Sequence, residues 1–112
     1  MNILEMSEQD LLNKKDYWPY MNNILKLKQF SEDFLSQTVE YYDSWVCIKY
    51  QKNLSPYFCF RYLFDNKTDS ADNWSDYNDI VNYLSKQEKQ YTDEEIDFFY
   101  KKALCDREKI NI

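Results

Sequence analysis

The first thirty residues place apolar side chains at helical intervals. Ser7 stands ahead of Glu8 and Asp10, a capping residue before acids that suit the positive end of a helix dipole. Asp16 is placed to cap a second helix, with Pro19 tolerated in a first turn whose amides have no helical acceptor. Tyr17, Met21, Ile24 and Leu25, with Lys28, then predict one apolar face. Ser31-Glu32-Asp33 reads as a short turn or as the lead into a strand.

The central stretch changes period. Residues 45–50 and 57–64 are dense in aromatic and apolar side chains, and Lys52-Asn53-Leu54-Ser55-Pro56 between them has turn chemistry. The pattern predicts a hairpin. With Gln51 opposite Tyr57, one face carries Val46, Ile48, Tyr50, Phe58, Phe60 and Tyr62 as a core wall, and the other carries Trp45, Cys47, Lys49, Tyr57, Cys59 and Arg61. Residues 37–42 add a possible third strand, with Asp43-Ser44 as the turn.

After a polar loop from Asp65 to Ala71, residues 76–86 regain helical spacing, with Tyr77, Ile80, Val81 and Leu84 as the stripe. Thr92-Asp93-Glu94-Glu95 is a capping box opening a last helix, whose apolar side is Ile96, Phe99, Tyr100, Ala103 and Leu104. Lys101, Lys102, Arg107 and Lys109 sit toward its C-terminal end, as the dipole prefers. No internal repeat or linker is evident. The expectation is a single α+β domain over 1–112, an antiparallel hairpin or three-stranded meander across about residues 37–64 packed with N- and C-terminal helices.

Composition narrows the function. The 112 residues contain no glycine and no histidine. Phosphate-cradling loops, dinucleotide fingerprints, nucleophile elbows and calcium loops need glycine, and histidine is the usual general base and zinc ligand. No enzyme is expected, and no cofactor. Cys47, Cys59 and Cys105 form an odd set without CxxC spacing, which fits reduced thiols and not a disulfide scaffold. The start has no signal-like pattern and no stretch is apolar enough to span a membrane, so a cytoplasmic protein without a membrane partner is expected.

Charge is unevenly spread. The net charge is −6, but residues 1–64 carry eight acids and seven bases, residues 65–97 ten acids and three bases, and residues 98–112 two acids and four bases. Asp65, Asp69, Asp72, Asp76 and Asp79 recur every three or four residues and would share a face of a continuous helix. Such a row presents charge at a spacing near that of nucleic-acid phosphates, on the order of 6–7 Å. The same row is also what a solvated helix face looks like, and a metal site is disfavoured by the missing Gly and Glu of a calcium loop. Trp74 in this acidic setting is a candidate apolar anchor for a basic pocket. Lys49 and Arg61 with Trp45 and Tyr57 are too few cations to predict direct nucleic-acid binding.

In kind, the chain resembles the small acidic proteins that phages and mobile elements encode to disable host defences, type II anti-CRISPR proteins among them. Its size, the acidic block from Asp65 to Asp97, an Asn/Lys/Tyr-rich composition and the lack of catalytic motifs carry that resemblance. It implies a stoichiometric inhibitor in the host-cell cytoplasm that mimics DNA and fills the basic nucleic-acid-binding groove of an RNA-guided nuclease. The contact residues are then Asp69, Asp72, Asp76, Asp79, Asp93, Glu94, Glu95 and Asp97, with Trp74 as anchor. An immunity or antitoxin protein covering a basic toxin site is the alternative from the same acidity. A carboxylate-dependent hydrolase is the alternative from another class.

Overall fold

A computed structural model describes residues 3–64 and 77–110, without the side chains of residues 109 and 110. Among these residues every regular element is helical. The α-helices are α1 (Glu8–Asn13), α2 (Met21–Ile24), α3 (Glu32–Gln37), α4 (Ser44–Tyr50), α5 (Pro56–Phe58), α6 (Tyr77–Ser85) and α7 (Asp93–Ile110). Short 3-10 helices cover Ile3–Glu5, Lys15–Tyr20 and Val39–Tyr41, and a π-helical turn, Cys59–Leu63, continues α5. The chain divides into two compact units, Met1–Gln51 and Lys52–Ile112.

The α+β expectation is therefore overturned, and the hairpin with it. Residues 45–50 lie in α4, residues 57–63 in α5 and its π turn, and the proposed third strand is the end of α3 followed by a 3-10 turn. The two letters read as turns, Asp43-Ser44 and Ser55-Pro56, are helix starts. Ser55 Oγ accepts the Phe58 amide at 3.1 Å and Pro56 takes the first helical position, where its missing N–H costs nothing. Between Trp45 and Phe64 only Val46 and Ile48 are β-branched, and a short aromatic run has no strand preference apart from its packing. Burial follows the helix: Ser44, Val46, Cys47 and Gln51 are covered while Trp45 and Lys49 are exposed.

The four hydroxyl-capped helix starts have a common construction. Ser7, Ser31 and Ser55 stand 24 residues apart, and Thr92 follows 37 residues later. Each accepts the backbone amide three residues on, at 3.1 Å for Asp10, 3.2 Å for Phe34, 3.1 Å for Phe58 and 3.1 Å for Glu95. An apolar residue precedes each cap (Met6, Phe30, Leu54, Tyr91), and a covered one sits four after it (Leu11, Leu35, Cys59, Ile96). These are the positions that a hydrophobic staple joins. The first two intervals also share an aromatic donor: Trp18 Nε1 reaches Leu11 O at 3.1 Å, and Tyr42 Oη reaches Leu35 O at 2.8 Å. What repeats is a set of roles: the cap construction at all four starts, the 24-residue interval twice, and the aromatic donor in the first two intervals.

Each of the first three repeats is closed by a side chain that returns to the residue before its cap. Lys28 Nζ donates to Met6 O at 2.9 Å, Gln51 Oε1 accepts from Phe30 N at 2.8 Å, and Tyr83 Oη accepts from Leu54 N at 3.1 Å. Gln51 is 1% exposed and also donates to Leu25 O and Lys28 O at 2.8 and 2.9 Å. Buried amide capacity of this kind must be paired, and here it is. In the first unit Ser31 further binds its counterpart's neighbour, with N and Oγ donating to Glu8 at 2.6 and 2.7 Å.

The core of the first unit is Met6, Leu11, Met21, Ile24, Leu25, Phe34, Leu35 and Val46, with Phe30 stacked on Phe34 at 4.4 Å. Asp16, expected to cap a helix, lies inside the 3-10 turn with Pro19. The second unit centres on an aromatic cluster. Phe60, Phe64, Tyr77 and Tyr100 have ring centroids 5.0–5.8 Å apart, mostly edge to face, the geometry that ring quadrupoles favour. Arg107, placed by its position to complement its own helix dipole, instead caps the end of the π turn by donating to Phe60 O and Phe64 O at 3.2 and 2.7 Å. With no glycine available, Asn53 takes the one left-handed position among the described residues, at φ 60°.

Replacing Gln51 by leucine keeps the volume but strands the Phe30 amide and two carbonyls. The expected loss is at least about 2 kcal/mol of unfolding free energy, read from urea denaturation; a loss within error would show that closure is not structural. Asn53→Gly should be neutral within a few tenths, and Asn53→Ala should cost about 1 kcal/mol.

Candidate functional site

The acidic residues singled out from sequence divide into two groups. Asp69, Asp72, Trp74 and Asp76 lie outside the described residues. Asp79 sits in the first turn of α6, and Asp93, Glu94 and Glu95 in the first turn of α7, with Asp97 one turn later. All five described acids are exposed.

The structure gives these carboxylates different work. Glu95 is spent on the helix start: its Oε1 accepts the Thr92 amide at 2.9 Å, completing the expected capping box. Asp97 pairs with Lys101 at 2.9 Å, one helical turn away, and that partner holds the Lys101 ammonium above the usual lysine value. Asp93 and Glu94 make no ion pair among the described residues. They point the acidic end of α7 at solvent, where the helix dipole favours them.

Beside them is a residue that the sequence reading passed over. Phe98 is 59% exposed and, with Glu94, Asp97, Lys101 and Lys102, lines a shallow groove on α7. Phe98 falls between the stripe positions Ile96, Phe99, Tyr100 and Ala103, so its outward direction was readable from the helical period. Asp79 does not line this groove. A large apolar ring flanked by carboxylates and lysine stems is a composition suited to protein contact.

Other candidates resolve into structure. Cys47 and Cys59 are not neighbours across a hairpin but buried thiols in separate units, and Cys105 is exposed. Burial pushes the Cys47 thiol up to about 12, offset in part by a hydrogen bond from Tyr42 and raised further by Glu32. Lys49 is in α4 and Arg61 in the π turn, so the strand face that suggested nucleic-acid contact is not formed. Lys49 lies over Tyr50 and Arg61 over Tyr62. Tyr57 Oη donates to Asp106 at 2.5 Å. Of the remaining aromatics, Tyr42 is buried, whereas Tyr20, Tyr41 and Trp45 are exposed. Among the described residues no group of three or more Cys, Asp or Glu is placed to hold a metal ion, and no helix is long and apolar enough to cross a membrane.

No protein-family model, curated protein or solved structure matches the chain.

Two measurements check this chemistry. A thiol reagent at pH 8 should modify Cys105 quickly and leave Cys47 and Cys59 intact until denaturant is added; three equivalent thiols would contradict the packing. The bond to Asp106 raises the Tyr57 phenol above its usual value, with burial adding to it. A raised acid contributes stability that is complete below the unfolded value near 10 and is lost as pH climbs through the folded one. Unfolding free energy should therefore fall more steeply above pH 10 in the parent than in Tyr57→Phe, and equal slopes would discount the bond.

Proposed function

We propose that the chain is a stoichiometric, non-catalytic inhibitor that captures a basic protein surface through the acidic segment lodged in its third repeat. One observation carries the reading. Ser55 and Thr92 stand 37 residues apart where the earlier intervals are 24, so 13 residues are extra. The longer interval still ends on the same cap bond, Thr92 Oγ1 accepting the amide three residues on. The stretch 65–76 holds Asp65, Asp69, Asp72, Asp76 and Trp74 against a single base, Lys67. Side chains that take no part in caps or closing bonds are free to be chosen for a partner.

The described side of the same acidic block supports this. Asp93 and Glu94 are exposed and unpaired among the described residues, and Phe98 supplies apolar area beside them. The partner that best fits is the nucleic-acid-binding groove of an RNA-guided nuclease, which must be cationic because it holds a polyanion. Electrostatic attraction speeds encounter and discriminates against acidic surfaces, while Trp74 and Phe98 would slow release.

The test pairs purified protein with a Cas9-type nuclease. A one-to-one complex and loss of DNA cleavage are expected, with affinity falling at least about tenfold between low and high salt. Charge reversal at Asp72, Asp76 and Asp79 together should abolish the complex while circular dichroism is unchanged. Parent-like binding by that triple variant at low salt would refute the acidic surface. Failure of the parent to bind any such nuclease would refute the assigned partner.

A further inference from the structure

A second surface is built by the repeat itself and does not depend on the acidic insertion. Helices α1 and α3 begin the first two repeats, and their outward positions line a shared groove of about 510 Å³. Gln9 and Asp33 occupy equivalent places 24 residues apart, as do Asn13 and Gln37. Within each helix the two are paired: Gln9 Nε2 donates to Asn13 Oδ1 at 3.2 Å, and Gln37 Nε2 to Asp33 Oδ2 at 3.1 Å. Glu8, Leu12 and Trp18 complete the lining.

We infer that this groove binds an extended, lysine- or arginine-bearing peptide segment of a partner protein. Three features select that occupant. First, an i,i+4 polar pair stands at equivalent positions of both helices, Gln9–Asn13 and Asp33–Gln37, which matches a linear polymer better than a compact ligand. Second, carboxamides offer donor and acceptor together, the complement of a peptide unit, and the i,i+4 bonds leave Gln9 Oε1, Asn13 Nδ2 and Gln37 Oε1 for it. Third, the lining has two carboxylates and no cation. Glu8 gives both oxygens to Ser31, whereas Asp33 gives Oδ2 to Gln37 and keeps Oδ1 for an incoming charge. The volume suits a few residues and not a domain.

A carbohydrate is the nearest competitor, since tryptophan with amides and acids also suits sugars. Here the indole is already engaged. Lys15 lies 5.7 Å over the Trp18 ring, the Tyr41 ring meets it at 4.7 Å in a T-shaped contact, and its N–H is bonded to Leu11 O. A sugar would find little stacking surface, whereas a peptide does not require it.

The experiment uses the full chain labelled with 15N and three probes: a ten-residue peptide of alternating lysine and serine, its glutamate counterpart, and maltohexaose. The lysine peptide should shift the side-chain amides of Gln9, Asn13 and Gln37, and Asp33→Lys should weaken it at least fivefold. Asp93→Lys/Glu94→Lys should leave those shifts in place, which separates this groove from the acidic face of α7. Shifts confined to the α7 acids, equal response to the glutamate peptide, or a response to maltohexaose alone would each overturn the inference. Should the nuclease complex fail while these shifts persist, the groove stands without the inhibitor reading.

Discussion

Short helices are the constraint that organises this molecule. Apart from α7, no helix described here exceeds nine residues, below the length at which a helix supports itself in water, roughly 12–15 residues. Such elements survive only if their ends are paired and their faces buried. The capping hydroxyl supplies the first turn with an acceptor, the flanking apolar pair covers it, and a side chain from the far end of the repeat closes the loop. Lys28, Gln51 and Tyr83 differ in chemistry, yet each clasps the residue before a cap, the first by its carbonyl and the other two by their amides. Glycine is dispensable in this scheme because few residues need a left-handed backbone, and asparagine serves at position 53.

The parts legible in the sequence were those whose signal is complete within a few residues. Both ends of the capping boxes at Ser7 and Thr92 lie three apart, and both helices are where the letters put them. The middle of the chain misled for a physical reason. Aromatic side chains fit a sheet or a helix core equally well, and Ser-Pro marks a turn or a helix start depending on what the residues after it can bury. The repeat was hidden because it conserves roles, not letters: methionine, phenylalanine, leucine and tyrosine precede the four caps, and tryptophan and tyrosine share one carbonyl-seeking position.

Legibility of the site divides the same way. The acidic imbalance is a sum over residues and needs no fold to be seen. Which acids remain available needs the fold: Glu95 belongs to a cap and Asp97 to Lys101, a pair that the i,i+4 spacing already announced. Phe98 is inconspicuous in the sequence because the buried stripe of α7 marks itself by apolar spacing and an exposed ring beside it carries no such mark. The groove between α1 and α3 was invisible in the sequence, since four polar residues scattered over positions 9–37 acquire meaning only when the two helices are seen side by side.

The repeat also supplies a way to separate scaffold from surface. At an equivalent position, a side chain that keeps its role from repeat to repeat is answering a demand of closure, as the caps and clasps do. A side chain or segment without a counterpart answers some other demand. By that rule the outward Phe98 stands outside the closing scheme, while Arg107, although basic, belongs to it, because it closes the Phe60 and Phe64 carbonyls. Charge follows the division. Residues 1–64, which contain both regular intervals, nearly balance at eight acids to seven bases, and the excess falls in residues 65–97, where the pattern is interrupted. A chain that needed acids only for solubility would spread them over every repeat, because self-repulsion within one segment works against compactness. Concentrating them in one block of the sequence is what the proposed capture of an outside cation would require.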